Sequence, residues 1–451
     1  MDAHAPTADP VDITDVDVVI IGGGGAGEAL VAALDGSGRR VLVVEQHRVG
    51  GECPFVACMP SKSMLHDAHG SIRWSEAVER RDDVVDDLDD HRHVEQLDRQ
   101  GAHLVRGHAQ IVDPWTVDVD GTRVRTEHLV LATGSQPTIP PIDGIDDLGE
   151  RLWTSEDALT TDHRPVRLMV IGGGPVGCEL AQLFAGFDTE VHLIDVAERA
   201  FPELPPEIGE IVDDGLRSAG VRVCRGRSAV HVEQRGGNVQ ITLDNEGSLA
   251  TDRILVAAGR TPALDGMGVE QLGLDPDNPL PIDDTGRISC PGSVWAIGDV
   301  AGRGQYTHLA NFQAGVVADH LVGNGRRRFD DRVTPACIFT RPPVMTIGPT
   351  PDELGDTATW VSAGLAEVAR WSTDRLGDGF LTIAVDHETR CVVAAHGAGA
   401  RFDELAAALV TAIDGRVPVD RLATSMWPFP TVGELLGPLY SRALEALDDA
   451  G

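Results

Sequence analysis

The chain of 451 residues carries 37 Lys+Arg against 71 Asp+Glu, a net charge of −34, which repels phosphate backbones and anionic headgroups and so excludes nucleic acid and membrane surfaces as partners. No stretch is long and apolar enough to span a bilayer, and the N-terminus, with Asp2, Asp9, Asp12, Asp15 and Asp17, has neither the cationic start nor the apolar core of a signal peptide. Seven cysteines, five of them (Cys178, Cys224, Cys290, Cys337, Cys391) scattered singly, argue against a secreted disulfide scaffold and for a cytoplasmic chain with one special pair.

At about 150 residues per domain the length predicts roughly three domains. Asp17–Ile21 is an apolar run that opens into Gly22-Gly23-Gly24-Gly25-Ala26-Gly27, and the next run, Val41–Val44, ends on Glu45. This is strand, turn, helix, strand, acid: Gly22, Gly24 and Gly27 allow a tight turn and close approach to a pyrophosphate, and Glu45 can accept from a ribose hydroxyl pair. Gly50-Gly51-Glu52-Cys53-Pro54-Phe55-Val56-Ala57-Cys58-Met59-Pro60-Ser61-Lys62 follows, with two thiols five positions apart and the only lysine of the chain. An ammonium is a compact point charge where arginine is a planar fork, so position 62 requires the former.

Glu76–Gln100 is dense in acids, with Val78, Val85, Leu88, Val94 and Leu97 near a helical spacing, and predicts a solvated amphipathic helix. His91 and His93 there are two apart and diverge in direction, which argues against a metal site. Short β-like runs from Leu104 to Leu131 flank a hairpin signal at Asp120-Gly121 and lead into Leu131-Ala132-Thr133-Gly134.

Beyond Pro137, Pro140 and Pro141 the pattern repeats: a strand at Leu168–Ile171, a second fingerprint at Gly172-Gly173-Gly174-Pro175-Val176-Gly177, and a strand from Val191 to Ile194 ending on Asp195. Two fingerprints in one chain hold two dinucleotides. Asp195 at the ribose position favours NADH, because a carboxylate repels a 2′-phosphate, while the nearby Arg199 leaves NADPH open. Ile254–Pro262, with Gly259, closes this second unit, and Val294–Ile297 is a further strand leading into Gly298-Asp299. From Arg332 onward an α+β alternation, with β-like runs at Val344–Ile347, Phe380–Val385 and Cys391–Ala395 and a helix over Phe402–Ile413, predicts a distinct C-terminal domain.

These motifs together, with Ala258-Gly259-Arg260 and Phe339-Thr340-Arg341-Pro342 before Ile347-Gly348, resemble the flavoprotein pyridine nucleotide-disulfide oxidoreductases (class I), and the arrangement is most similar to dihydrolipoamide dehydrogenase. The resemblance implies an α/β enzyme with FAD-binding segments at 14–150 and 266–331, an NAD(P)-binding domain at 151–265 and an α+β dimerisation domain at 332–451. It implies FAD on the first fingerprint, with Gly51, Thr133 and Gly134 contributing, and NADH (NADPH possible) on the second. Hydride passes from nicotinamide to flavin, and the flavin reduces a Cys53–Cys58 disulfide. Cys58 would be the thiol against the flavin and Cys53 the interchange thiol that attacks a substrate disulfide. Lys62 would lie near the flavin's reactive nitrogen, paired with Glu179. Asp299 would bond the ribityl chain, and a helix starting near His308-Leu309-Ala310 would point its N-terminus at the flavin's carbonyl edge. A homodimer is implied, with Phe429 and Glu434 of one subunit completing the other's site.

One position departs from the pattern. The family usually carries His-Pro-Thr-x-x-Glu, the histidine acting as acid and base, whereas this chain reads Phe429-Pro430-Thr431-Val432-Gly433-Glu434. Phenylalanine moves no proton, so ordinary dithiol exchange is expected to slow by roughly 10² to 10⁴ if nothing substitutes. The same replacement occurs in the family's branch that cleaves and carboxylates a ketone thioether. Mercury(II) reductases are similar and lack the histidine too, but deliver metal through a C-terminal cysteine pair, and here the last cysteine is Cys391. The expected acceptor is a small-molecule disulfide or other electron acceptor, with a quinone, a metal ion or a ketone thioether as alternatives, and a flavin redox sensor without turnover as a further one. The acid excess fits a salty cytoplasm, which screens self-repulsion; compositional drift would remove lysine but not add acid.

Overall fold

The computed structural model describes residues 13–70, 72–276, 278–329 and 333–450. Asp2, Asp9 and Asp12 of the N-terminal reading and the boundary residue Arg332 lie outside the described residues. The described residues form two compact units, drawn from 1–59, 85–136 and 260–329, and from 60–84, 137–259 and 330–451.

The first unit opens with β1 (Asp15–Ile21), α1 (Gly25–Leu34) and β2 (Val41–Glu45). Val18, Val19, Ile20, Leu42 and Val43 are fully buried, as expected of parallel strands covered on both faces. Then come α2 (Glu52–Phe55), α3 (Cys58–Ala68) and α4 (Trp74–Val84), of which the residues from Pro60 to Val84 belong to the second unit, and α5 (His91–Arg99) back in the first. The single helix expected over Glu76–Gln100 is thus two: Asp86, Asp87 and Leu88 take left-handed φ values of 53°, 52° and 63°. Asp82, Asp83, Asp86, Asp87 and Asp90 would repel at i,i+4 in one continuous helix, and aspartate visits the left-handed region more readily than most residues. The break turns Val85 and Leu88 onto Phe55 and Val56.

β3 (Ala102–Arg106), β4 (Ala109–Asp113), β5 (Thr116–Val119) and β6 (Thr122–Leu131) complete the main sheet, in the order β3-β2-β1-β6-β5-β4. The hairpin at Asp120-Gly121 joins β5 to β6 antiparallel. β1 pairs parallel with β2 on one side and β6 on the other, so the strand order reverses at its carboxyl end, where ligands bind in open α/β sheets.

After β7 (Ser135–Pro137) the second unit repeats the design with β8 (Leu152–Trp153), α6 (Ser155–Thr160), β9 (Arg167–Ile171), α7 (Pro175–Gly186), β10 (Glu190–Asp195), α8 (Pro206–Ser218) and β11 (Arg222–Arg225). Its parallel sheet runs β11-β10-β9-β15-β8, with β15 at Arg253–Val256. An antiparallel meander unforeseen from the sequence, β12 (Ala229–Arg235), β13 (Asn238–Leu243) and β14 (Ser248–Thr251), precedes β15. The chain then returns through β16 (Arg260–Pro262) to the first unit, where β17 (Val294–Ala296) pairs with β6 and α9 (Thr307–Leu321) follows.

The C-terminal segment is α+β. β18 (Pro335–Ile338), β19 (Val344–Ile347), α10 (Pro351–Leu354), β20 (Ala358–Gly364), α11 (Ala369–Asp374), β21 (Phe380–Asp386) and β22 (Val392–Ala398) precede α12 (Phe402–Asp414), α13 (Val419–Ala423) and α14 (Leu436–Ala450). The antiparallel order is β18-β19-β22-β21-β20. Phe402, Leu409, Leu435, Leu439 and Tyr440 close its core against Ile347 and Ile383. Among the described residues no helix is long and apolar enough to cross a membrane.

Candidate active site

The thiol segment is shaped by glycines. Gly50 and Gly51 have φ of 97° and 70°, and Gly50 bridges to Gly24 of the first fingerprint, which fixes where α2 starts. Cys53 lies on α2 and Cys58 begins α3. Both sulfurs face one hydroxyl: Thr307 Oγ1 donates to Cys53 Sγ at 3.3 Å and stands 3.9 Å from Cys58 Sγ. Thr307 is the first residue of α9, so the positive end of that helix dipole lies at the thiols, an environment that favours thiolate. The expected helix start, His308, is the next residue and stacks on Tyr306 at 5.4 Å; Ala310 is buried.

A chain of charge-assisted bonds backs the pair. Arg260 Nη2 donates to both oxygens of Glu52 at 2.8 and 2.7 Å, neutralising the carboxylate that precedes Cys53. Arg260 Nε donates to Ser135 Oγ at 2.7 Å, and that hydroxyl donates to Asp299 Oδ2 at 2.7 Å. Asp299 is thereby tied to the thiol helix through Ser135, which the sequence did not single out, and Arg260 of the Ala258-Gly259-Arg260 motif.

α3 carries Lys62 one turn after Cys58. In the second unit Lys62 Nζ donates to Glu179 Oε2 at 2.7 Å, while Glu179 Oε1 accepts from the Phe339 backbone N–H at 2.8 Å. The Phe339 ring centroid is 5.0 Å from the ammonium. Glu179 is 8% exposed and Lys62 38%, so a buried carboxylate, satisfied on both oxygens, holds an ammonium that still reaches open space.

The two fingerprints share their geometry, and both fit a dinucleotide. A Cβ on Gly22 would lie 2.3 Å from the Ala132 carbonyl oxygen, and one on Gly27 2.2 Å from that of Gly22. The equivalents in the second unit are Gly172 against Ala257, 2.3 Å, and Gly177 against Gly172, 1.9 Å. By contrast a Cβ on Gly174 or on Gly259 would meet nothing within 4 Å, and one on Gly24 only Gly51 Cα at 3.6 Å. Each loop is therefore sealed on its sheet side and open where a pyrophosphate would lie. Glu45 accepts from the backbone N–H groups of Gly23 and His47, both at 2.7 Å, and Asp195 from those of Gly173 and Ala197 at 2.6 and 2.9 Å. Thr133 Oγ1 is buried without a hydrogen-bond partner, beside Gly134 at φ 74° with open space around it. A buried hydroxyl left unpaired is costly, and a bound cofactor would satisfy it.

Phe429 is 75% exposed. Glu434 accepts from the Thr431 backbone N–H at 3.3 Å, closing a capping box before α14. His93, expected in solvent, instead sits 2.7 Å from Glu28 and edge-on to Phe55; burial pushes the Glu28 carboxyl upward. Among the described residues no group of three His, Cys, Asp or Glu is placed to hold a metal ion.

Two nucleotide units, a thiol pair and an α+β C-terminal segment define a flavin-linked dithiol oxidoreductase. The family model described as pyridine nucleotide-disulphide oxidoreductase matches residues 16–314, and that described as its dimerisation domain matches residues 334–439. The chain belongs to this family, whose members are FAD-dependent enzymes that use NAD(P)H. It is 31% identical to dihydrolipoyl dehydrogenase of Pseudomonas aeruginosa, over 96% of this chain and 98% of that one. It is 28% identical to mercuric reductase of Staphylococcus aureus, over 95% and 83%. The solved Cu(II) complex of the HOCl-induced flavoprotein disulfide reductase RclA from Escherichia coli superposes with a TM-score of 0.86 at 27% identity, over 95% and 99%.

Proposed function

We propose that this enzyme passes electrons from NAD(P)H to a small-molecule disulfide through a Cys53–Cys58 dithiol, as a cytoplasmic homodimer. The convergence of both sulfurs on Thr307 Oγ1, at 3.3 and 3.9 Å, carries the proposal. In this reading 14–150 and 266–331 bind FAD, 151–265 binds NAD(P)H, and 332–451 forms the dimer interface. When bound, the nicotinamide and flavin together supply the two electrons that open the disulfide. Gly22, Gly24, Gly27, Gly51 and Glu45 would hold the FAD pyrophosphate and ribose, and Thr133, Gly134 and Asp299 would contribute further bonds to it. Gly172, Gly174, Gly177, Gly259 and Asp195 would do the same for NAD(P)H. By the family resemblance Lys62, held by Glu179, would supply fixed positive charge to the flavin, and His308 and Ala310, in the first turn of α9, would lie near its carbonyl edge.

Cys53 thiolate then attacks the substrate disulfide: one sulfur–sulfur bond forms, one breaks, and a substrate thiol leaves with its proton drawn from solvent. Cys58 attacks the mixed disulfide to release the second thiol. Phe429 offers no proton for either step, and Glu434 is engaged with its own backbone, so an acceptor whose leaving thiol is acidic suits this site better than lipoamide.

A second reading is favoured by the same Phe429: a quinone, metal ion or ketone thioether as acceptor. Anaerobic NADH should make two thiols titratable in the wild type, and Cys53→Ser should abolish disulfide reduction. If Cys53→Ser leaves turnover with every acceptor in a panel of disulfides, quinones and mercury(II) intact, the dithiol proposal fails and the second reading stands.

A further inference from the structure

The two ribose-site acids differ in one respect. Strand register sets Arg106 opposite Glu45 and Arg225 opposite Asp195. Arg106 turns away, to Asp90 and the His47 carbonyl. Arg225 turns inward: its side chain is 6% exposed, with Nη1 3.1 Å from Asp195 Oδ2 and Nη2 2.8 Å from Asp213 Oδ1 on α8. Nη1 also donates to the Gly173 carbonyl at 3.3 Å, and a Cβ on Gly173 would lie 1.9 Å from it. The guanidinium is thus packed against the fingerprint loop itself. Arg199, the cation expected near the ribose, is spent on the carbonyls of Leu204 and Pro202.

We propose that Arg225 sets coenzyme choice: by offsetting part of the charge on Asp195 it weakens the repulsion that a 2′-phosphate would meet, so the second site takes NADPH as well as NADH. This rests on the reading that the second fingerprint seats NAD(P)H. A lone carboxylate there rejects the phosphate by like charge. Asp195 and Asp213 share one buried guanidinium, which lowers the net charge of the cluster from −2 to −1 and weakens its repulsion of a phosphate, and the guanidinium is itself a strong phosphate partner. Asp213 competes for the same cation and limits how much of its charge Asp195 and an incoming phosphate can use. Arg225 acts through Asp195 and is a positioning residue.

The test is calorimetric titration of the full-length, FAD-loaded enzyme with ADP-ribose and with 2′-phospho-ADP-ribose, read as the ratio of their dissociation constants. In the wild type the two are expected within about tenfold of each other. Arg225→Met should widen the ratio against the phosphorylated ligand by roughly tenfold or more, and Arg225→Lys should keep it near the wild-type value. Asp213→Asn, which frees the guanidinium from its competitor, should shift the ratio the other way. A wild-type ratio wider than about tenfold overturns the inference, and so does an Arg225→Met ratio equal to the wild type's, including equal loss of both ligands. If Arg225→Met does not fold, the direction of the Asp213→Asn shift decides. Failure of the wild type to bind either ligand overturns the underlying reading instead.

Discussion

Thr307 has no motif of its own, yet it is the residue on which both sulfurs converge. A hydroxyl that donates to a thiolate stabilises the charged form and lowers the thiol pKa. Thr307→Val keeps the shape and removes the donor, so the pH midpoint for alkylation of Cys53 in the reduced enzyme should rise by roughly one unit, while Thr307→Ser should not move it. An unchanged midpoint in Thr307→Val would leave α9 alone responsible for activation. The thiols and the lone lysine were legible in the sequence because they share one motif with local spacing, and Glu179 was reached only through the family resemblance. Thr307 and Arg225 were not, and Arg260 was visible in its motif but not its bond to Glu52, since the partners of the three lie 254, 30 and 208 positions away and only folded strand register and helix placement bring them together.

Elements formed from local pattern were the most legible: β1, β2, β9, β10 and α12 fall within two residues of their expected bounds. Glu76–Gln100 failed because apolar periodicity ignores charge, and its aspartates cannot share one helix surface. The glycine loops make opposite predictions for the two units. Gly27→Ala drives a methyl into the Gly22 carbonyl oxygen, and Gly177→Ala into that of Gly172. Gly27→Ala should purify with most of its flavin lost, whereas Gly177→Ala should keep flavin and raise the KM for NADH about tenfold or more. Flavin loss in Gly177→Ala rather than Gly27→Ala would reverse the assignment of the loops. Just past the end of α3, His69 makes a pH prediction. Burial, with Arg341 and His66 alongside, pushes its pKa from 6.5 down to about 4. The unfolded chain protonates it near 6.5 and the folded chain only near 4, so protons favour unfolding as pH falls through that window. Burial also lowers His128 and His396, so the informative quantity is a difference. Between pH 7 and 5, His69→Gln should lose less of its urea midpoint than the wild type does, and parallel profiles would show that His69 titrates normally.

On the whole-molecule scale the duplicated nucleotide fold was legible because each β-α-β unit is written within about thirty residues, while the β12–β14 meander was missed: β13 alternates polar and apolar residues strictly, but β12 and β14 on either side of it do not. Composition bears on stability through net charge. The ion pairs across this surface, such as Arg39–Glu127 and Arg217–Asp214, contribute little each. Thirty-seven cations cannot offset seventy-one acids, and 34 negative charges remain in excess. Salt weakens attraction and repulsion alike, but with acids in such excess repulsive pairs outnumber attractive ones, so screening should stabilise on balance. The Debye length shrinks from about 8 Å at 0.15 M to about 3 Å at 1 M, short enough to quench repulsion between neighbouring carboxylates while leaving a buried pair such as Arg225–Asp213 in place. The thermal midpoint should therefore rise by a few degrees between 0.05 and 1 M potassium chloride. Choline chloride should reproduce the rise if screening is the cause, and potassium should exceed it if carboxylate clusters bind the cation. A midpoint that falls with either salt would mean that the paired arginines outweigh the acid excess, and that the composition reflects loss of lysine rather than adaptation to salt.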